Sequence, residues 1–192
     1  MTDDLALEAT ALGEMFALDA RDEGLLAEQL AACAAERGLQ ADRLIRGLAA
    51  GRSIGAALGV SPALGEALYA KAYRWCEVGR LDRALPLFRA LCIVDGTVAD
   101  YWAGYGLCLR TVDQPDLAEL AFGMAAALRP DWALPFFHLA AVAATTGRDA
   151  ESAALLDAFD ARVGKLSDDP LKVEASRLRL VLASRREGGG GG

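Results

Sequence analysis

The residues best suited to covalent or metal chemistry are a single histidine, His138, and four cysteines, Cys33, Cys76, Cys92 and Cys108. No two cysteines form a Cys-x-x-Cys pair, and structural or catalytic zinc needs more ligands at closer spacing. They read as small apolar side chains in or near a reduced core. His138 is flanked by Phe136, Phe137 and Leu139. A general base needs convergent polar groups, so this pattern reads as a packed histidine with one hydrogen bond. Gly51-Arg52-Ser53-Ile54-Gly55 lacks the Gly-Lys-Ser/Thr ending of a phosphate-binding loop. Gly104-Tyr105-Gly106 falls inside a helical pattern rather than after a strand, so it is no dinucleotide fingerprint. Those glycines read instead as permitting close helix approach. The expectation is a protein that is not an enzyme, with no cofactor and no metal.

The chemistry that remains is recognition. Tyr69 and Tyr73 lie one helical turn apart and can flank a pocket, with Leu81 near its edge. What must position them is a repeat. Gly79, Asp113 and Gly147 recur at a step of 34 residues, as do Ala84, Ala118 and Ser152, then Phe88, Phe122 and Leu156, and Leu68, Trp102 and Phe136. This period is the signature of tetratricopeptide (TPR) repeats, each a helix–turn–helix. The small residues stand where helix B passes close to helix A, and the large ones one turn on fill the space between. The glycines suit a turn with positive φ, which Asp113 tolerates better than most residues.

Composition narrows the function classes. Over half of the 192 residues are hydrophobic and the net charge is −7. A nucleic-acid binder shows a basic field, so no nucleic-acid partner is expected. The longest uncharged run, Trp132 to Gly147, is 16 residues with a proline and the histidine inside. That is too short and polar for a membrane span, and Met-Thr-Asp-Asp lacks a basic signal region. Cytoplasmic residence without membrane insertion is the default.

Along the chain, residues 1–60 read as an N-terminal helical segment, 61–187 as the TPR domain with a C-terminal cap helix, and 188–192 as a glycine tail. Leu5, Leu12, Met15, Phe16, Leu25, Leu26 and Leu30 have helical spacing. A short helix is expected over Ala41–Ala50, after which Gly51, Gly55 and Gly59 loosen the chain. Ser61-Pro62 is a helix start, with Ser as N-cap and Pro at the first helical position. Pro86 is expected in the first turn of its helix, and Asp131 as a cap. Leu171, Ala175, Leu178 and Leu182 form one stripe of a last helix, suited to covering the apolar end of a stacked array.

In a TPR array the A helices line the concave side. Counting each unit from Gly65, the inward positions are Glu66, Tyr69, Tyr73, Cys76 and Glu77 in the first repeat. They are Asp100, Ala103, Leu107, Arg110 and Thr111 in the second, and Leu134, Phe137, Ala141, Ala144 and Thr145 in the third. Such a groove suits an extended peptide with apolar and proline anchors. Each buried Leu-sized anchor contributes roughly 1.5–3 kcal/mol, and three approach the roughly −8 kcal/mol of a micromolar complex before ordering losses. Proline lowers those losses because it is already extended. The alternative is that the tyrosines only pack against neighbouring helices.

Leu91-Cys92-Ile93-Val94-Asp95 followed by Tyr101-Trp102-Ala103-Gly104-Tyr105-Gly106-Leu107-Cys108-Leu109-Arg110 resembles the second repeat of the class II chaperones of bacterial type III secretion, the SycD/LcrH/IpgC group. Pro135-Phe136-Phe137-His138 resembles a segment of their third repeat. Leu48 to Val60, with Gly51, Ile54 and Leu58, resembles the stretch before their first. The resemblance implies a cytoplasmic, non-enzymatic chaperone holding hydrophobic translocator subunits soluble until export. It implies binding of a P-x-L-x-x-P-like N-terminal segment of the translocator in the groove, and a homodimer through N-terminal helices. Tyr69 and Tyr73 match the family's pocket tyrosines, and Cys76 and Leu81 stand where the family carries further aromatics. A general TPR scaffold, assembling an envelope or regulatory complex, is the alternative.

Overall fold

The computed structural model describes residues 41–163 and 170–189; the expected helices of residues 3–37, the first part of the N-terminal segment 1–60, lie outside these, as do residues 164–169 and the glycine tail beyond 189. The described residues form nine α-helices and no strand. In chain order they are α1 (Ala41–Ala49), α2 (Ile54–Leu58), α3 (Pro62–Glu77), α4 (Leu81–Val94), α5 (Ala99–Thr111), α6 (Pro115–Leu128), α7 (Ala133–Thr145), α8 (Asp149–Val163) and α9 (Leu171–Gly189). Three tandem hairpins, α3–α4, α5–α6 and α7–α8, stand where the 34-residue period places them. Packing divides the chain into two compact units: 41–68 with 93–96, and 69–92 with 97–163 and 170–189.

In the first unit, Ile45 of α1 and Ala57 of α2 are buried. The loosened stretch expected at Gly51 to Gly59 is instead the helix α2. Ser53 caps it, its Oγ accepting the Ala56 N–H at 3.3 Å. Gly55 lies within α2 against the Val94 side chain, where a Cβ would not fit. Three glycines in nine residues hide a helix because two of them end turns and the third makes a contact. Ser61 and Pro62 start α3 as expected, with the Leu64 N–H donated to Ser61 Oγ at 3.3 Å.

The second unit is built on an interlock of small and large residues. Ala84, Ala118 and Ser152 are wholly buried, as are Phe122 and Leu156, and Phe88 very nearly so. Ser152 satisfies its hydroxyl by donating to the Ala140 carbonyl at 2.8 Å. Both α5 glycines face rings. A Cβ on Gly104 would overlap Phe88, and one on Gly106 would come within 2.8 Å of Phe122. The hairpin turns place Gly79 at φ +72 and Gly147 at φ +78, and Asp113 takes φ +57 in the same position. Asp there adopts the left-handed conformation its short polar side chain tolerates.

Helix α9 closes the array. Its Ala175 and Leu182 are buried with Phe137, Ala144, Leu156 and Phe159. Arg185 donates to the Ala144 carbonyl and pairs with Asp149, both at 2.9 Å. Two sequence expectations are corrected. Pro86 lies beyond the first turn of α4; its ring removes one backbone bond, but the buried Ala84, Phe88, Leu91 and Cys92 keep the helix continuous. Trp132, not Asp131, is the N-cap of α7, with no side-chain cap bond. The Arg129 guanidinium lies 4.4 Å over the Trp132 ring.

His138 is 5 % exposed, stacked on Phe122 at 4.9 Å and edge-on to Phe137. Its Nδ1 has no hydrogen-bond partner among the described residues, so ring packing rather than the expected bond fixes it. Burial, with the nearby Arg110 charge, pushes its pKa down to about 3.

This packing makes three outcomes testable. Gly104→Ala should cost about 1–3 kcal/mol in urea unfolding, because the added methyl has no room. Gly123→Ala, with nothing within 4 Å of its would-be Cβ, should gain up to about 1 kcal/mol from helix propensity. Folded His138 stays neutral where the unfolded residue gains a proton, so the unfolded chain binds more protons between the ordinary imidazole value and about 3. Stability should therefore fall as pH drops below about 6.5, by up to roughly 1.4 kcal/mol per pH unit. Urea midpoints between pH 7 and 5 measure this, and His138→Leu should flatten the slope.

Candidate functional site

A cleft of about 350 Å3 opens within the second unit. Tyr69, Tyr73 and Cys76 come from α3, and Gly79, Leu81 and Phe88 from the following turn and α4. Asp100, Ala103, Gly104, Leu107, Cys108 and Thr111 come from α5, and Trp132 and Leu134 from the start of α7. The cleft exists because of the interlock. Gly104 lets the Phe88 ring in against α5, and Ala103, beside it, leaves space that a larger side chain would fill. Leu107 follows one turn later on the same face.

The aromatic wall is ordered by ring contacts. Tyr69 lies 6.0 Å from Phe88 in an edge-on arrangement, 5.7 Å from Tyr101 and 6.5 Å from Tyr73. Tyr69 is half-buried, so it has a structural role as well as a surface one. Tyr73 is 53 % exposed, a large ring left in water beside an apolar cleft. Burial, then the charge of Asp100, raises the Tyr69 pKa, so its phenol stays neutral and able to donate a hydrogen bond. Asp100 is ion-paired with Arg129, and Arg129 in turn covers Trp132. The one carboxylate of the cleft wall is thus partly neutralised, and the side chains of the rest of the wall are apolar but for two phenols, two thiols, the Thr111 hydroxyl and the Trp132 indole N–H.

Of the groove residues read from the sequence, Tyr69, Tyr73, Cys76, Leu81, Asp100, Ala103, Leu107 and Leu134 are brought together here. Glu66, Arg110, Phe137 and Ala141 are not part of this wall. Glu66 is exposed and belongs to the first unit. Phe137 is corrected from groove to core: it is 7 % exposed, packed with Phe159 at 5.8 Å and with α9. The closing helix occupies the face that, in an inner repeat, stays open. Phe88, Gly104, Cys108 and Trp132 line the cleft without having been read as groove residues. Phe88 and Gly104 carried a signal, as a repeated large residue and a mid-helix glycine.

Among the described residues no three His, Cys, Asp or Glu side chains gather into a group that could hold a metal ion. No helix among them is long and apolar enough to cross a membrane. The cleft offers shape, apolar surface and a few hydrogen-bonding groups, which is the equipment of a binding site.

No family model and no curated protein sequence matches the chain. Solved structures do. The Yersinia enterocolitica type III secretion chaperone SycD in complex with a peptide of the translocator YopD is 23 % identical at a TM-score of 0.60, over 66 % of this chain and 98 % of that one. PcrH in complex with the chaperone-binding region of PopD is 22 % identical at 0.62, over 67 % and 97 %. A type III secretion complex from Aeromonas hydrophila is 22 % identical at 0.64, over 77 % and 97 %. The chain therefore shares the all-helical TPR-like fold of type III secretion translocator chaperones.

Proposed function

We propose that this protein is a class II chaperone of a bacterial type III secretion system, working in the cytoplasm without catalysis. Its second unit holds an extended N-terminal segment of a hydrophobic translocator, of the P-x-L-x-x-P type, in the cleft between α3 and α5. This keeps the translocator soluble and secretion-competent. The observation that carries the reading is an open, apolar, tyrosine-walled cleft in a fold whose solved examples include chaperones bound to translocator peptides. Apolar anchors of the client replace water on Leu81, Ala103, Leu107 and Leu134, and the Tyr69 and Tyr73 phenols are placed to hydrogen-bond its backbone. Residues 61–187 form the binding domain, and residues 1–60 contribute a homodimer contact.

Calorimetry with a synthetic P-x-L-x-x-P-containing peptide tests the cleft. Tyr69→Ala with Tyr73→Ala should weaken binding by at least about tenfold while far-UV circular dichroism stays unchanged. Unaltered affinity would remove the cleft from the account. Co-expression separates a chaperone from a scaffold. A chaperone brings down and solubilises a protein with membrane-length apolar segments, whereas a scaffold brings down partners that are soluble without it.

A further inference from the structure

Cys76 and Cys108 come from neighbouring helices, α3 and α5, and from positions 32 residues apart, yet their sulfurs lie 3.4 Å from each other. Both line the cleft. Cys76 is half-exposed, whereas Cys108 is wholly buried. Cys92 is buried in α4 and is not part of the cleft wall. The Cys108 thiol is held protonated by burial and by its hydrogen bond with Cys76. The arrangement is therefore asymmetric: one sulfur faces the open cleft and the other waits behind it.

We propose that Cys76 and Cys108 are a dithiol–disulfide site, oxidised by low-molecular-weight disulfides entering the empty cleft, and that the disulfide lowers the cleft's affinity for its peptide. The Cys76 thiolate attacks one sulfur of the incoming disulfide. A Cys76 mixed disulfide forms, and the first small thiol leaves with the proton that Cys76 gave up. Cys108 then loses its proton, and its sulfur attacks the Cys76 sulfur. The protein disulfide forms and the second small thiol leaves carrying that proton. Two protein thiols are oxidised and one small disulfide is reduced to two thiols. A disulfide is about 2.05 Å long, so the sulfurs must approach by more than an ångström. That movement draws α3 towards α5 at the cleft floor and takes both thiols off the binding surface. A bound peptide covers Cys76, so occupancy and oxidation oppose each other. The effect on binding rests on the peptide reading above; the linkage itself does not.

The test uses the full-length protein incubated with oxidised glutathione, digested without reduction and read by mass spectrometry. The expected product is a peptide pair joined through Cys76 and Cys108, lighter by two hydrogens and restored by dithiothreitol, with Cys92 still a thiol. Cys108→Ser should stop at a glutathione adduct on Cys76, and Cys76→Ser should show neither adduct nor linkage at Cys108. A wild-type protein that halts at the Cys76 adduct, or links between molecules instead, would overturn the site. Calorimetry on the linked and reduced forms with the P-x-L-x-x-P peptide should differ by about tenfold, the linked form binding more weakly. Equal affinities would overturn control of the cleft. Failure of the reduced form to bind would count against the peptide reading, and the mass spectrum alone would then decide the disulfide.

Discussion

The fold and the cleft both depend on one steric constraint: two glycines of α5 lie against two phenylalanine rings. Gly104 meets Phe88 from α4, and Gly106 meets Phe122 from α6, and neither place has room for a Cβ. Helix α5 is thereby set close against its neighbours on both sides, and α6 carries the contact on to α7 through Leu109, Phe122 and Val142. A close-packed interior passes such constraints from layer to layer. The same contact that fixes the stack sets the cleft floor, because Phe88 and Gly104 are also part of its wall. Binding surface and core share atoms.

This sharing explains the chemistry of the cleft. A site made from the flanks of core residues is apolar by inheritance, and its polar groups stand at the edges. Asp100 is ion-paired with Arg129, and Tyr69 and Tyr73 present phenols from otherwise packed rings. Such a wall can hold apolar anchors with little sequence discrimination beyond shape and spacing. That suits a protein proposed to shield a segment that is itself hydrophobic. Cys76 is a small side chain in this wall, and its sulfur reaches that of Cys108.

Much of the fold was legible because the repeat forces it. A step of 34 residues fixed the hairpins, and the small residues at Ala84, Ala118 and Ser152 marked where helices cross. Asp113 stands in for glycine at its repeat position and takes φ +57. The hidden parts had local causes. Helix α2 is short and carries glycine at its second position, against Val94, which composition reads as a loop. The N-cap of α7 is Trp132, with no side-chain cap bond, a position that capping propensity does not pick out. Inward positions of all three repeats reach the cleft wall, Leu134 of the third among them, while Glu66 and Arg110 stand outside it and Phe137 is packed in the core. A fixed set of inward positions assumes that each unit has a neighbour of the same kind, whereas the last one faces α9. Phe137 and Ala144, inward by position, are sealed by Ala175 and Leu182.

The central claim is that the cleft between α3 and α5 is the surface that receives an extended apolar segment. Chemical-shift mapping of the isotopically labelled protein with a P-x-L-x-x-P peptide tests it most directly. The account predicts perturbations concentrated at Tyr69, Tyr73, Ala103, Leu107 and Leu134. Perturbations confined to the exposed apolar face of α6, at Leu117, Leu120 and Met124, with the cleft signals unmoved, would contradict it.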